Sequence, residues 1–482
     1  MKTTLAACFI FLVVCGLVDC NTNERPHILF ILADDLGWND IGYNNPYVFT
    51  PTLDALARDG VIFNQSYAQP ACTPSRACLM SGYFAYHNGF QTEVMNKWTP
   101  NGLSLDFTIL PQELKDLGYS TYMVGKWDLG YCKNEYTPNG RGFDHFYGFY
   151  TAGEDYYSHK NGKFLDLRED FTPDFDQDGV YSAELFAEKA ANYVANHDKN
   201  EPMFMYLSLQ SVHGPLQVPD KYLDRFNFVS NIGRRMKLGM TTAMDDTVAV
   251  VVEAFKEHGL WNNTLLIFLS DNGGPTNEGK DGNNWPLRGS KKTLWEGGTR
   301  VVNFVYGTML EKTGYVNDGM IHIVDWFPTL VHVAGGESDD QDMDGLNVWD
   351  TVSKGDPSPR TEFVYNIDVE EDPPYQAIRV GDYKLIHGKA GNPSDWVPPP
   401  EDDSLGGIEN GRIYKAFTRL FNIIDDPTER NDLSEAMPDK LAEMLARLEE
   451  LKETTYPVEF VPRTKEEASP KNFGGAYSPG WC

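Results

Sequence analysis

The feature that most constrains this chain is an alternation running through most of its length. Short, mostly apolar runs at 27–32, 120–124, 203–207 and 265–269 read as strands, as does the more mixed run 61–67. Between them, 51–58, 110–117, 181–194 and 236–258 carry apolar residues at helical spacing. A near-continuous apolar run is what a strand buried on both faces looks like, so the spacing predicts an α/β fold: a large, mostly parallel sheet flanked by helices. Sheets of this kind collect ligands at the carboxyl ends of their strands. Two runs end in polar residues there, in Ala33-Asp34-Asp35 and in Ser270-Asp271-Asn272-Gly273-Gly274.

The alternation stops near residue 355. The runs 362–367, 376–379, 383–386 and 419–422 have no long helices between them and suit a small antiparallel sheet, followed by an amphipathic helix over 441–451. Residues 401–411 read as a loop. The expected organisation is a signal peptide over 1–20, a large N-terminal domain over 24–355, a small C-terminal domain over 356–460 and a surface tail over 461–482. A length of 482 residues suits such a pair of domains.

The first residues carry Lys2 and then a mostly apolar stretch from Leu5 to Val18, too short to span a bilayer. No later stretch is long and apolar enough to span one, so a soluble chain in the secretory pathway, secreted or lysosomal, is expected. In that route the sequons at Asn64 and Asn262 become candidate glycosylation sites. Of seven cysteines, Cys72, Cys78, Cys132 and Cys482 lie beyond the expected signal. That is too few for a disulfide scaffold. If Cys72 is chemically consumed, one bridge and one free thiol among the other three is the simplest arrangement. The net charge of −29 excludes nucleic acid and anionic membrane as natural partners. An anionic substrate would need a local cationic pocket against that field.

The most specific string is Cys72-Thr73-Pro74-Ser75-Arg76-Ala77-Cys78-Leu79-Met80-Ser81-Gly82. It resembles the sulfatase signature C-x-P-S-R-x-x-x-x-[ST]-G. The resemblance implies an alkaline-phosphatase-like fold and a formylglycine made from Cys72 by the formylglycine-generating enzyme of the endoplasmic reticulum. The hydrated aldehyde offers two geminal hydroxyls. One attacks sulfur and expels the alcohol; the other then collapses and expels sulfate. A serine lacks the second hydroxyl and would be trapped as an ester.

Such chemistry calls for a cation beside the nucleophile. Asp34, Asp35, Asp271 and Asn272 stand where the fold class places ligands, and oxygen donors favour Ca²⁺ or Mg²⁺ over zinc. The resemblance favours one Ca²⁺ per chain, with the Cys72 position among its ligands. Arg76, Lys126, His213 and Lys291 form the candidate cationic set. Fixed cations stabilise charge developing on the sulfate oxygens, and a histidine or lysine near the bridging oxygen can protonate the leaving alcohol. Taken singly, Lys126 and Lys291 read as solvated surface charges and His213 as a structural histidine. The expected substrate is a sulfate ester of a small molecule or a carbohydrate.

The strings 210–215, 283–289, 294–298 and 425–430 resemble the arylsulfatase B branch, which includes N-acetylgalactosamine-4-sulfatase and invertebrate relatives. One position departs. Where the family has Gly-Lys-Trp-His-Leu-Gly, this chain reads Gly125-Lys126-Trp127-Asp128-Leu129-Gly130. In the family that histidine is the base for the second hydroxyl. Asp128 is therefore expected to be a substitute base, a mark of altered substrate or pH preference, or a mark of lost turnover. Nearby cations are expected to depress its pKa. Residues 154–159 are expected to border the pocket.

Overall fold

A computed structural model of the protein describes residues 25–482 except 93, 278–280, 339, 412–416 and 459–460. The expected signal segment lies outside the described residues.

The large sheet contains β1 (His27–Ala33), β2 (Val61–Phe63), β3 (Ser120–Lys126), β4 (His145–Phe149), β5 (Arg168–Glu169), β6 (Thr172–Pro173), β7 (Met203–Ser208), β8 (Thr264–Ser270), β9 (Asn303–Tyr306) and β10 (Tyr315–Asn317). Its order is β10-β2-β9-β8-β1-β7-β3-β4-β5-β6. The five central strands, from β8 to β4, are all parallel. Antiparallel pairs extend the sheet on both sides. The run 61–67 is not one strand: the chain turns at Asn64, and Ser66–Tyr67 pairs with Ile321–His322 in a separate two-stranded sheet. Asn64 N donates to Asn317 O (2.9 Å), the last rung of the ladder with β10, and the chain turns at 64–65 immediately after it.

Successive residues of β1 point to opposite faces and so feed two cores. Ile28, Phe30 and Leu32 pack with α2 (Cys72–Ser81), α3 (Leu110–Asp116) and α6 (Trp326–Val333). Leu29, Ile31 and Ala33 pack with α1 (Pro51–Asp59), α4 (Ser182–Asn196) and α5 (Ile232–Glu257). Each such side chain withdrawn from water contributes about 1.5–3 kcal/mol, so both layers of helices are firmly seated on the sheet.

A second, four-stranded antiparallel sheet follows: β11 (Glu362–Asp368), β12 (Tyr375–Val380), β13 (Tyr383–Gly388) and β14 (Phe417–Asn422). Phe363, Ile378, Leu385 and Leu420 join the core on the α2 face of the large sheet, as do Met444 and Leu448 of α7 (Pro438–Lys452). Part of the tail is buried too, at Ala476 and Tyr477. Its end is tied back by the Cys132–Cys482 disulfide, which leaves Cys72 and Cys78 as buried free thiols.

Candidate active site at the carboxyl ends of the parallel strands

β1 and β8 run side by side with Ala33 opposite Ser270, so the residues that follow them emerge together. Asp35 N donates to Asp271 Oδ1 (3.2 Å), and Asn272 Nδ2 donates to Asp35 Oδ1 (2.8 Å). Asp35 adopts a φ of 64°, a left-handed conformation that aspartate tolerates better than most residues. Ligand atoms of Asp34, Cys72 and Asp271 lie within 4.8 Å of one another, as do those of Asp34, Asp35 and His213. Two oxygens of this cluster, Asp34 Oδ1 and Asn272 Oδ1, are buried with no hydrogen-bond partner. Orphaned buried acceptors are costly. Converging carboxylate and amide oxygens with acceptors to spare are the donor set of a hard divalent cation, so the residues fit one.

The charges record the same tension. Burial raises the Asp271 carboxyl and the Asp34 charge raises it further. Burial works to raise Asp35 too, but Lys291, His213 and Lys237 outweigh it and hold that carboxyl well below its usual range.

Cys72 opens α2. Pro74 is tolerated in the first turn, where backbone N–H groups have no helical partners. Ser75 Oγ accepts from Gln69 N (3.0 Å) and fixes the approach. The helix stops at Gly82, whose φ of 75° suits glycine; a Cβ there would meet Met343 Sδ at 2.6 Å. Burial pushes the Cys72 thiol up to about 11, against the pull of Lys126 and Lys291. At neutral pH it is a protonated thiol and a poor nucleophile.

The cations surround it. Lys291 Nζ lies 3.7 Å from Cys72 Sγ and 2.5 Å from Asp35 Oδ1. Lys126 Nζ lies 2.7 Å from Asp34 Oδ2 and 3.8 Å from Asp128 Oδ2. His213 Nε2 is 3.8 Å from Asp35 Oδ2. Burial lowers His213 to about 4, although Asp34 and Asp35 oppose it. Arg76 is placed differently from its expected aim at sulfate. One helical turn after Cys72, it points inward behind the carboxylates and donates to Asp271 Oδ2 (2.9 Å), Ser208 Oγ (2.5 Å) and Lys126 O (3.2 Å). It braces the acidic cluster from below.

Asp128 has a φ of 59° and accepts from Thr73 Oγ1 (2.8 Å). Its pKa is raised, not depressed. Burial outweighs Lys126, Arg76 and the Thr73 hydroxyl, because the carboxylate is almost wholly cut off from water.

Sequence reading missed Lys237. This buried side chain of α5 donates to Asp35 O (3.0 Å) and Val212 O (2.8 Å), pinning the Asp35 and His213 loops to one helix. The signal was available: residues 237, 240, 244, 248 and 251 form one inward stripe, and Lys237 is its only charge.

Three depressions meet here. A cavity of about 260 Å³ is lined by Asp35, His213, Ser290, Lys291 and Lys292. A cleft of about 480 Å³ lies between Ala71, Pro74, Lys292 and the C-terminal sheet. A third space of about 420 Å³ takes in His213, Glu154 and Asp155. Within 154–159, Tyr156 is packed, with its hydroxyl donating to His213 O (2.8 Å). Of the two sequon asparagines, Asn262 is exposed, while half-buried Asn64 bonds Asp318 and Arg300.

The sulfatase family profile matches residues 26–336, the stretch that carries every residue of this site. Mouse arylsulfatase J is 40% identical over 484 residues, covering 95% of this chain and 80% of its own length. Mouse N-acetylgalactosamine-6-sulfatase is 29% identical and covers 77% of this chain and 73% of its own. Among solved structures, Ps i-CgsB, also solved with k-i-k-neocarrahexaose, superposes with a TM-score of 0.79 at 27% identity, covering 94% of this chain and 98% of that one. The PsFucS1 sulfatase from Pseudoalteromonas sp. shares the fold at a TM-score of 0.72 and 22% identity, covering 92% and 93%. A profile match over most of the chain, and a relative aligned along nearly all of it, show that the protein belongs to the sulfatase family and is a sulfuric ester hydrolase.

Proposed function

We propose that this protein hydrolyses sulfate esters of saccharides with a formylglycine derived from Cys72 and one Ca²⁺ held by Asp34, Asp35, Asp271 and Asn272, beside the Cys72 position itself. One observation carries the reading: a single ammonium, Lys291 Nζ, touches both the Cys72 sulfur and the Asp35 carboxylate. Nucleophile precursor, cation and acidic cluster therefore share one point. When bound, the metal polarises sulfate oxygens and favours ionisation of a neighbouring hydroxyl.

The chain's own residues do the rest. Lys126 and Lys291 hold positive charge where the sulfate must sit, which the net charge of −29 makes indispensable. Lys291 stays charged, since the Asp35, Asp34 and Asp271 carboxylates oppose the effect of its burial, and can give a proton to the leaving oxygen. His213, neutral above about 4, bounds the same cavity and orients the ester. Arg76 and Lys237 position Asp271 and the Asp35 loop. Asp128 takes the place of the family histidine as acceptor.

Within the family, the strings 210–215, 283–289, 294–298 and 425–430 support placement beside the arylsulfatase B branch. The saccharide preference is supported by polar clefts around the site and by the oligosaccharide named for a structural relative. We further propose passage through the secretory pathway, to secretion or the lysosome, with a glycan at Asn262 and a second at Asn64. No helix of the described residues is long and apolar enough to cross a membrane.

The deciding experiment is peptide mass spectrometry at Cys72 on protein from a secretory host, paired with turnover of aryl sulfate and sulfated galactosamine oligosaccharides. Conversion lowers the residue mass by about 18 Da. A full complement of unmodified thiol, with no turnover, would sink the proposal.

A further inference from the structure

Lys292 is unlike the other cations near the site. It is a non-glycine residue at a φ of 65°, a conformation that costs energy and persists only when its surroundings impose it. They do so from two directions. Lys292 N donates to Pro70 O (2.6 Å), two residues before Cys72. From the other side, the turn after β13 presses on it: a Cβ on Gly391 would lie 2.4 Å from Lys292 O, and Leu294 N donates to Ala390 O (2.7 Å). The segment leading into α2 and the turn after β13 thus clamp one backbone unit, and Lys292 reaches a space that Lys291 does not line. Lys292 lines the 260 Å³ cavity that holds Asp35, His213 and Lys291, and also the 480 Å³ cleft beyond it.

The cleft's other charges are partly cancelled. Lys389 Nζ is paired with Glu371 Oε2 (2.9 Å), Asp368 adds a further negative charge, and Arg463 a further positive one at the cleft's edge. Lys292 has no ion pair among the described residues. Phe90, Thr92 and Tyr375, all half-buried, supply the polar and aromatic surface on which a sugar ring can lie.

We propose that Lys292 determines specificity by binding a second anionic group of the substrate, a carboxylate or another sulfate, on the unit that occupies this cleft while the scissile sulfate faces Lys291. The inference rests on the sulfatase reading and adds the substrate class: saccharides carrying at least two anions. Its chemical reason is the same imbalance that demands Lys126 and Lys291. A second anion approaching a chain of net charge −29 is repelled unless a fixed cation meets it.

The test compares wild type, Lys292→Met and Lys292→Arg on three substrates: an aryl monosulfate, a disaccharide with one sulfate and one uronate, and a disaccharide with two sulfates. For at least one disaccharide, Lys292→Met should lose about tenfold more kcat/KM than for the aryl sulfate, mostly in KM. Lys292→Arg should restore most of it, and added salt should shrink the difference. The disaccharide that shows the effect identifies the anion. Equal losses on all three substrates, or no loss on any, would overturn the inference. Wild type that hydrolyses none of them sinks the catalytic reading instead. Equilibrium binding of the same disaccharides to Cys72→Ala protein, with and without Lys292→Met, then still decides: about tenfold weaker binding supports Lys292, and unchanged or absent binding overturns it.

Discussion

Among the buried charge clusters of the described residues, two are built on opposite principles. At the junction of the two sheets, Glu296 accepts from Tyr67 OH (2.9 Å), Tyr365 OH (2.7 Å) and Lys384 Nζ (2.9 Å), while Lys384 also lies 2.8 Å from Glu429. Glu429 in turn accepts from Glu296 N (2.7 Å). At the carboxyl ends of β1 and β8, by contrast, Asp34 Oδ1 and Asn272 Oδ1 have no partner, and carboxylates crowd one another. The first cluster meets most of its charges internally, although Glu429 Oε1, 2.8 Å from Lys384 Nζ, accepts no hydrogen bond, and it fastens the C-terminal sheet to the catalytic one. The second is left incomplete, open to cavities, and stable only at a cost that a bound cation and substrate offset.

The comparison breaks most sharply at Lys384. Removing one member of a satisfied buried pair leaves an uncompensated charge, so Lys384→Met should cost about 3–5 kcal/mol in chemical denaturation. A loss under 1 kcal/mol would mean that the network does not hold the sheets together. Asp271→Asn should do the reverse. It removes one of the crowded carboxylates while preserving shape, so metal-free stability should hold or rise. Turnover of an aryl sulfate should nonetheless fall about 10²–10³-fold. Metal removal sharpens the contrast. A ligand at about a hundred times its Kd stabilises by about 2.7 kcal/mol. Chelation should therefore lower the thermal midpoint of wild type and leave that of Asp271→Asn unmoved.

Acid should probe the satisfied cluster. Burial alone would raise Glu296, but Lys384, Arg300 and Arg379 outweigh it and hold the carboxyl at about 2. A carboxyl depressed on folding contributes stability that is complete above its unfolded value, near 4.3, and is lost as pH falls toward the folded one. Glu429, raised by burial and by Glu296, acts in the opposite sense at higher pH. The stability gap between wild type and Lys384→Met, measured by urea unfolding, should therefore narrow from pH 6 to pH 3. A constant gap would show that Lys384 packs but does not pair with Glu296.

The two clusters also differ in how readable they were. The open one lies at strand ends, and strand ends are local: an apolar run followed by Asp34-Asp35 or Asp271-Asn272 announces itself. The signature around Cys72 is equally local. What escaped notice depends on three-dimensional direction. Arg76 reads as a substrate cation until the turn of α2 is seen to aim it behind Asp271. Lys237 reads as a solvated helix charge unless its stripe is traced. The sheet-joining cluster was invisible as such, because Glu296, Lys384 and Glu429 are far apart in sequence and meet only when the second sheet docks. The single strand expected over 61–67 fails for a related reason: the polar Asn64-Gln65-Ser66 inside the run suits either the outer face of a strand or a turn, and the pairing partners on each side reveal the turn.

Asp128 belongs to neither cluster and gives the finest test of the open one. Its carboxylate is fixed by the Thr73 hydroxyl beside the start of α2, with Lys126 at 3.8 Å. Were those cations dominant, it would be a feeble acceptor; burial instead raises its pKa and brings its basicity closer to that of imidazole. Asp128→His should accordingly change kcat by less than about tenfold. It should move the pH optimum upward, since an imidazole accepts protons in a higher range than a carboxylate. A rise of about 10²-fold or more from a near-zero baseline would say the opposite: that aspartate fails as an acceptor here and that the natural chain has given up turnover. The two outcomes differ by more than an order of magnitude, so a single pH–rate series on the two proteins separates them.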